Sequence, residues 1–139
     1  MYTDKEDIMA KPNPDGRLYS QEHEWALDNG DGTITMGITD YAQEMLTDIV
    51  YVELPEIGRK VAQMEPVAVV ESVKSVSDVY SPVSGEVVNV NKLLEDKPEL
   101  INLDAFGEGW IAVISVDDSA ELGNLMDAAA YTAMIEEEA

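Results

Sequence analysis

The 139-residue chain has 29 acidic and eight basic residues, a formal net charge of −21, and no cysteine. This length suits one compact domain, and the charge argues against binding to nucleic acid or to an anionic membrane, because both are negatively charged themselves. Without cysteine there is no disulfide framework, thiolate metal site or cysteine nucleophile, so any sulfur redox chemistry has to arrive on a cofactor.

The first 17 residues contain the turn-rich run 12–16, Pro-Asn-Pro-Asp-Gly. We predict that residues 1–17 form a loosely ordered N-terminal extension and that residues 18–139 form the folded domain. The start of the chain has no apolar stretch of signal-peptide type, and no apolar run reaches membrane-spanning length. A cytoplasmic location is therefore expected.

A β-hairpin and a short helix are predicted at the start of the domain. Residues 24–27 and 33–38 flank a strong turn segment, Asp-Asn-Gly-Asp-Gly, which favours a hairpin. The helix that follows is predicted to begin with Asp40 as its cap and to end at Thr47 and Asp48.

The rest of the chain favours further short strands and a helical tail. Strands are predicted over residues 48–54, 66–72, 86–90 and 110–116, and short helical turns over residues 91–95 and 98–101. In the third of these strands, Val88 and Val90 are expected on one face. Residues 119–138 predict one or two helices, which are expected to fray at the acidic end because acidic side chains are unfavourable at a helix C-terminus. Many short strands without βαβ alternation predict a mainly β sandwich or flattened barrel.

The most informative stretch runs from Val67 to Pro82. A Val-rich segment enters it, a polar patch centred on Lys74 interrupts it, and a second apolar segment leaves it, which predicts a hairpin with Lys74 near its tip. A modifying enzyme can reach a lysine amine in that position from several directions. An ordinary surface lysine paired with a carboxylate, worth roughly 0–1 kcal/mol, gives the same pattern. A Schiff-base lysine is disfavoured, because it needs a desolvated pocket.

Several segments resemble, in order and spacing, the signatures of the H protein of the glycine cleavage system. They are residues 19–25 (YSQEHEW), 37–44 (GITDYAQE), 48–55 (DIVYVELP), 71–74 (ESVK), 81–87 (SPVSGEV) and 107–110 (GEGW). The resemblance extends from about Leu18 to the C-terminal helix. It implies a barrel-sandwich hybrid, the lipoyl-domain fold, with short peripheral helices and a C-terminal helix. It also implies lipoate as the cofactor, in amide linkage to Lys74.

The function that this resemblance implies belongs to glycine catabolism and one-carbon metabolism. An H protein carries the aminomethyl intermediate of glycine from glycine decarboxylase (P protein) to the aminomethyltransferase (T protein), and then presents dihydrolipoamide to dihydrolipoamide dehydrogenase (L protein) for reoxidation. It is a carrier protein and not an enzyme. A lipoate ligase or a lipoyl or octanoyl transferase loads its lysine. An H-like lipoyl protein that serves sulfur oxidation, or lipoyl relay to other complexes, stays open as the alternative.

Candidate site residues follow from the same resemblance. The positions of Glu24 and Asp78 lie by a cleft into which the loaded arm folds in that family. A carboxylate there attracts the ammonium of the carried group, and exclusion of water protects that labile group. No metal ligand is expected. The hairpin around Lys74 is formed by Glu71, Ser72, Val73 and Ser75.

Some positions depart from the family pattern or from related carriers. A histidine that some members place near the cleft is Met45 here, and the single histidine, His23, is expected to be structural. The turn at residues 59–64 lacks a glycine that is common in the family and is expected to use another geometry. A biotin carrier would present Met on both sides of the lysine, where this chain has Val73 and Ser75.

Overall fold

The structure is a computed structural model that describes residues 12–138. Residues 1–11 of the predicted extension, and residue 139, lie outside the described residues. The strands are β1 (Leu18–Tyr19), β2 (Glu24–Asp28), β3 (Thr33–Ile38), β4 (Ile49–Glu53), β5 (Lys60–Val61), β6 (Pro66–Ser72), β7 (Val76–Tyr80), β8 (Gly85–Val90) and β9 (Ala112–Val116). The α-helices are α1 (Asp40–Leu46), α2 (Leu93–Asp96), α3 (Leu100–Leu103) and α4 (Ala128–Glu138), and a 3₁₀ helix covers Ser119–Asn124.

Two antiparallel sheets enclose one aliphatic core. The larger sheet has the strand order β1-β2-β3-β9-β8-β5, and the smaller has the order β4-β6-β7. Side chains from both sheets fill the core, including Ile34, Met36, Val52, Val70, Val87 and Ile114. The prediction of a mainly β fold with short peripheral helices and a C-terminal helix is confirmed. In the described part of the chain, no helix is long and apolar enough to cross a membrane.

The first helix begins one residue away from the predicted cap. Thr39, which is extended, is the N-cap, and its hydroxyl accepts a hydrogen bond from the Ala42 N–H at 3.2 Å. Asp40 is the first helical residue, and its carboxylate accepts from the Gln43 side chain instead. The assignment of Asp40 as the cap was therefore wrong, because the hydroxyl one residue earlier reaches the free N–H group. The predicted end at Thr47 is confirmed.

The faces of β8 differ from the prediction. Val87 lies opposite Ile114 and Asn89 lies opposite Val113, so Val88 is an extra residue in a β-bulge. The bulge shifts the alternation of side chains by one residue. Val87 and Val90 therefore point into the core, whereas Val88 is 40% exposed. The expectation that Val88 and Val90 share a face was wrong for this reason.

The C-terminal segment packs against the edge strand β1. The backbone of Met126 exchanges two hydrogen bonds of 2.8 Å with Tyr19. Tyr131, fully buried on α4, stacks on the Tyr19 ring with a centroid distance of 4.8 Å. The helix continues to Glu138, at the acidic end where fraying is expected. Its main anchor is thus an aromatic side chain.

The described end of the predicted extension also contacts this region. The Tyr19 hydroxyl donates to the Pro14 carbonyl at 2.6 Å. The Arg17 guanidinium donates to the Phe106 carbonyl at 2.6 Å and lies over the Trp25 ring. These contacts join residues 12–17 to the larger sheet.

Candidate cofactor-attachment site

Lys74 lies at the tip of the hairpin formed by β6 and β7. The last paired residues of the two strands are Glu71 and Val76. Ser72 is buried, and its hydroxyl oxygen accepts from the N–H groups of Lys74, at 3.3 Å, and Ser75, at 3.1 Å. The Ser72 N–H donates to the Ser75 carbonyl at 2.8 Å. A single buried serine therefore fixes the backbone of the tip from inside.

A second set of hydrogen bonds ties the tip to the rest of the molecule. The Val73 N–H donates to the Asp48 carbonyl at 3.1 Å, just before β4. At the next residue, the Ile49 N–H donates to the side-chain oxygen of Asn102 at 2.9 Å. Asn102 also donates to the Thr47 carbonyl at 2.9 Å. The tip is thus held by β4, and β4 is held by α3.

The side chain of Lys74 is exposed and unpaired in the described part of the chain. Among residues 12–138, Arg59 and Glu65 form an ion pair, and His23 lies 3.4 Å from the Glu138 carboxylate; neither contact includes Lys74. The interpretation of Lys74 as a lysine held by a nearby carboxylate is therefore not supported. A free amine on a long stem, on a hydrogen-bonded tip, fits a lysine that carries an acyl group through an amide bond.

Glu24 and Asp78 are placed in different environments. Glu24 is 1% exposed; its carboxylate accepts from the Ser20 hydroxyl and, at 3.1 Å, from the Tyr80 N–H. Burial raises the pKa of Glu24 to about 7, and the two donors only partly oppose that shift. Asp78 is exposed on β7, opposite Val69. Glu24 thus connects the larger sheet to the end of β7, while the Asp78 carboxylate faces solvent.

His23 and Met45, the two positions considered for a histidine contact, are not equivalent in the structure. The His23 ring nitrogen Nδ1 lies 2.8 Å from the Tyr131 hydroxyl, and burial lowers the pKa of His23. This bond joins the start of β2 to the C-terminal helix, which agrees with a structural role. Met45 is 51% exposed on α1.

The turn without glycine, at residues 59–64, contains a strained residue. Met64 has a φ of 67°, in the left-handed region that glycine adopts most easily. Its N–H donates to the Ser81 carbonyl at 2.7 Å, and the Ala62 N–H is bound by the Glu65 carboxylate at 2.8 Å. These bonds hold a left-handed methionine shortly before β6.

Sequence reasoning missed Asn102 and the internal role of Ser72. Asn102 lies in a four-residue helix, 53 positions from the residue that it binds, so no local pattern marks it. Ser72 was recognised as part of the hairpin. The alternation of side chains along β6, which makes position 72 an inward one like Val70, was the available signal for its internal role.

Comparisons with known proteins agree with this geometry. The sequence model of the glycine cleavage H-protein family matches residues 17–138. A glycine cleavage system H protein from Thermus thermophilus is 56% identical over 126 residues, covering 91% of this chain and 98% of the relative. One from Marinomonas sp. strain MWYL1 is 55% identical over 122 residues, covering 88% and 96% respectively.

A solved structure gives the same result for the fold. The crystal structure of a glycine cleavage system H protein from Mycobacterium marinum superposes with a TM-score of 0.82 at 36% identity. The match covers 89% of this chain and 99% of that chain. Both the sequence and the fold therefore lead to one conclusion: the chain belongs to the glycine cleavage H-protein family.

Proposed function

We propose that this chain is the lipoyl carrier of a glycine cleavage system and that Lys74 carries lipoate in amide linkage. The observation that supports the proposal most directly is the exposed, unpaired Lys74 on a hydrogen-bonded hairpin tip. Membership of the glycine cleavage H-protein family supports it independently. We also propose that the carrier domain covers residues 18–139, after the N-terminal extension.

The attached group supplies a disulfide that can be reduced to a dithiol and reoxidised. The chain's part is to present that group. Ser72 and the Val73 N–H fix the backbone of the tip, so that the Lys74 stem extends from a defined point. Glu71 and Ser75 flank that point. The chain itself provides no catalytic step in this proposal.

Glu24 and Asp78 are proposed as the carboxylates that serve the loaded arm when it folds back. Asp78 is exposed and can face an ammonium group directly. Glu24 would first have to release the Ser20 hydroxyl or the Tyr80 N–H, because both now bind its carboxylate. The two residues therefore have different tasks: Asp78 contacts the carried group, and Glu24 also holds the end of β7.

The proposed partners are the other components of the glycine cleavage complex. They are glycine decarboxylase, the aminomethyltransferase and dihydrolipoamide dehydrogenase, each of which acts on the carried arm. A lipoate ligase, or a lipoyl or octanoyl transferase, would attach it. Each of these enzymes needs an approach to the hairpin tip, where Val73 and Val76 are both 67% exposed.

The attachment residue is tested by incubating the purified chain with lipoate, ATP and a lipoate ligase, then measuring intact and peptide masses. One lipoyl group is expected, on the peptide that contains Lys74. Lys74→Ala should gain none, and the matched control Lys92→Ala, which removes another exposed lysine, should be loaded like the wild type. A folded wild-type chain that stays unmodified, or that is modified on another lysine, would contradict the proposal.

The pathway is tested with the loaded chain and glycine decarboxylase, following exchange of labelled carbon dioxide into glycine. The loaded wild type should support exchange, and the Lys74→Ala variant should not. A fully loaded chain that supports no exchange would favour the alternative, an H-like protein of sulfur oxidation or lipoyl relay.

A further inference from the structure

The outer face of the small sheet carries an exposed surface of alternating apolar and acidic side chains. Next to the hairpin tip, the strand register aligns Tyr51, Glu71 and Val76 in one row. The next row aligns Glu53, Val69 and Asp78. Residues opposite each other, or two apart along a strand, point to the same side of a sheet. All six side chains therefore lie on one face, which we call the chequered face.

Two of the three apolar members of this face are open to solvent, and the third, Val69, is half-buried. Tyr51 is 51% exposed and Val76 is 67% exposed, although the residues between the rows, Val52 and Val70, are buried in the core. The cross-strand neighbours of the three acidic members are all apolar, so no cation opposes them across the strands. The face thus combines exposed apolar area with negative charge.

A groove of about 630 Å³ continues this face away from the tip. Glu53 and Val69 border the groove, which opens where β4 ends and the loop 54–59 turns away from β6. Ile57 on that loop is 57% exposed. Among the described lining residues Arg59 is the only basic one, and it already donates to the Pro66 carbonyl at 2.8 Å. The groove therefore offers an apolar recess beside acidic residues.

The distance from this surface to Lys74 suits an enzyme that must hold the carrier while the arm reacts. Val69 is five residues before Lys74, so at about 3.3 Å per residue the groove begins roughly 17 Å from the tip. A standard protein interface buries about 800 Å² on each partner, a patch roughly 30 Å across. One interface can therefore cover the groove and the chequered face and leave the lysine free.

We propose that the chequered face and the groove form the docking surface for glycine decarboxylase, through a part of that enzyme that is basic and inserts an apolar side chain into the groove. The inference rests on the proposed function, because the partner is an enzyme that acts on the arm of Lys74. Charge complementarity argues for a basic partner, and exposed Tyr51 is of the residue type that dominates interface energies. A second copy of this chain would bring the same carboxylates and a net charge of −21 to the contact, which disfavours self-association.

The test uses the fully lipoylated chain as the substrate of glycine decarboxylase and measures KM, kcat and their dependence on salt. Tyr51→Ser and Glu53→Lys should each raise the KM for the carrier by about tenfold with little change in kcat, since they weaken docking and leave the arm intact. The loss of kcat/KM with rising salt should be shallower for Glu53→Lys than for the wild type. Mass spectrometry confirms loading of every variant, and urea unfolding confirms that each is folded.

The matched controls make the same kinds of substitution outside the chequered face. Val88→Ser removes an exposed apolar side chain from the larger sheet, and Glu137→Lys reverses a charge on α4. Both should behave like the wild type. Loaded variants of the chequered face with a wild-type KM would overturn the docking proposal alone, whereas a wild-type chain that cannot be loaded would overturn the proposed function with it.

Discussion

At the scale of single residues, the hydroxyl of Ser72 decides how firmly the hairpin tip is held. It accepts from the Lys74 and Ser75 N–H groups inside the turn. Ser72→Ala should leave both N–H groups without that partner and cost about 1 kcal/mol of unfolding free energy. Amide exchange at these two residues should become faster, and lipoylation slower, because the amine no longer starts from a fixed backbone.

The control for this prediction is Ser77→Ala, which removes a hydroxyl from the same hairpin but outside the turn. Its hydroxyl contacts only the Asp78 carbonyl, at 3.3 Å, in the described part of the chain. Amide exchange at Lys74 that is equally slow in wild type and Ser72→Ala would show that the serine does not hold the tip.

Glu24 gives a prediction about pH. Burial holds the pKa of Glu24 at about 7 in the folded chain, above its ordinary value of 4.5. A raised acid pKa means that the folded chain binds the proton more tightly, so this stability is present below pH 4.5 and is lost as the pH rises through 7. Glu24→Gln cannot ionise and avoids that loss. Between about pH 4.5 and about pH 8.5, its stability should therefore rise relative to the wild type by on the order of 3 kcal/mol.

Urea unfolding of Glu24→Gln and of the wild type across this pH range measures the difference between their free energies of unfolding. Glu108→Gln, which removes an exposed carboxylate, serves as the comparison and should track the wild type at every pH. If the difference in unfolding free energy between Glu24→Gln and the wild type did not change with pH, ionisation of the buried Glu24 carboxylate would have no cost in stability.

At the scale of elements, the C-terminal helix depends on one hydroxyl. The Tyr131 oxygen lies 2.8 Å from His23 Nδ1 and 2.7 Å from the buried Thr39 hydroxyl. Tyr131→Phe keeps the stacking on Tyr19 but leaves both polar groups without this partner, which should cost about 1–3 kcal/mol. Urea unfolding measures the loss, and amide exchange should localise it to α4 and the ends of β2 and β3.

Tyr51→Phe is the matched control for the hydroxyl, since Tyr51 is half exposed. It should change the unfolding free energy by less than about 0.5 kcal/mol. Equal stabilities of the two variants would exclude a special role for the Tyr131 hydroxyl and would leave the aromatic stack as the anchor of α4.

Elements whose signals are local were predictable from the sequence. The strand at residues 66–72 was predicted with the bounds that the structure shows, because Val-rich runs between turn residues are typical of strands. The position of Lys74 at a hairpin tip followed from the same pattern. The bulge at Val88 was not predictable, since it is set by the pairing of β8 with β9, which lies more than 20 residues later.

Contacts between distant residues add roles that the sequence does not show. The bond from Glu24 to the Tyr80 N–H spans 56 positions, and it makes Glu24 a buried connection between the sheets. Gly85 is constrained by the Ser115 carbonyl, which would lie 1.9 Å from an added Cβ. A sequence pattern shows which residues are present, whereas these roles depend on which strands become neighbours.

At the scale of the whole molecule, the net charge of −21 acts on stability and on docking with opposite signs. Among the described residues, the ion pair between Arg59 and Glu65 joins two exposed side chains, and the His23 that lies near Glu138 has a lowered pKa, so attraction between opposite charges contributes little to the stability. Salt should therefore screen more repulsion than attraction and raise the free energy of unfolding. From about 0.01 M to about 0.15 M salt the screening length falls from about 30 Å to about 8 Å, and a gain of roughly 1 kcal/mol is expected.

The same increase in salt should weaken the encounter with a basic partner, because it screens the attraction between opposite charges. Urea midpoints and kcat/KM with glycine decarboxylase, measured over one salt series, should thus move in opposite directions. Glu136→Gln combined with Glu137→Gln removes two negative charges away from the chequered face, so it should reduce the effect of salt on the free energy of unfolding and leave the effect of salt on KM nearly unchanged. If the urea midpoint and kcat/KM both fell with rising salt, attraction between opposite charges, and not repulsion, would make the larger electrostatic contribution to the stability of the folded chain.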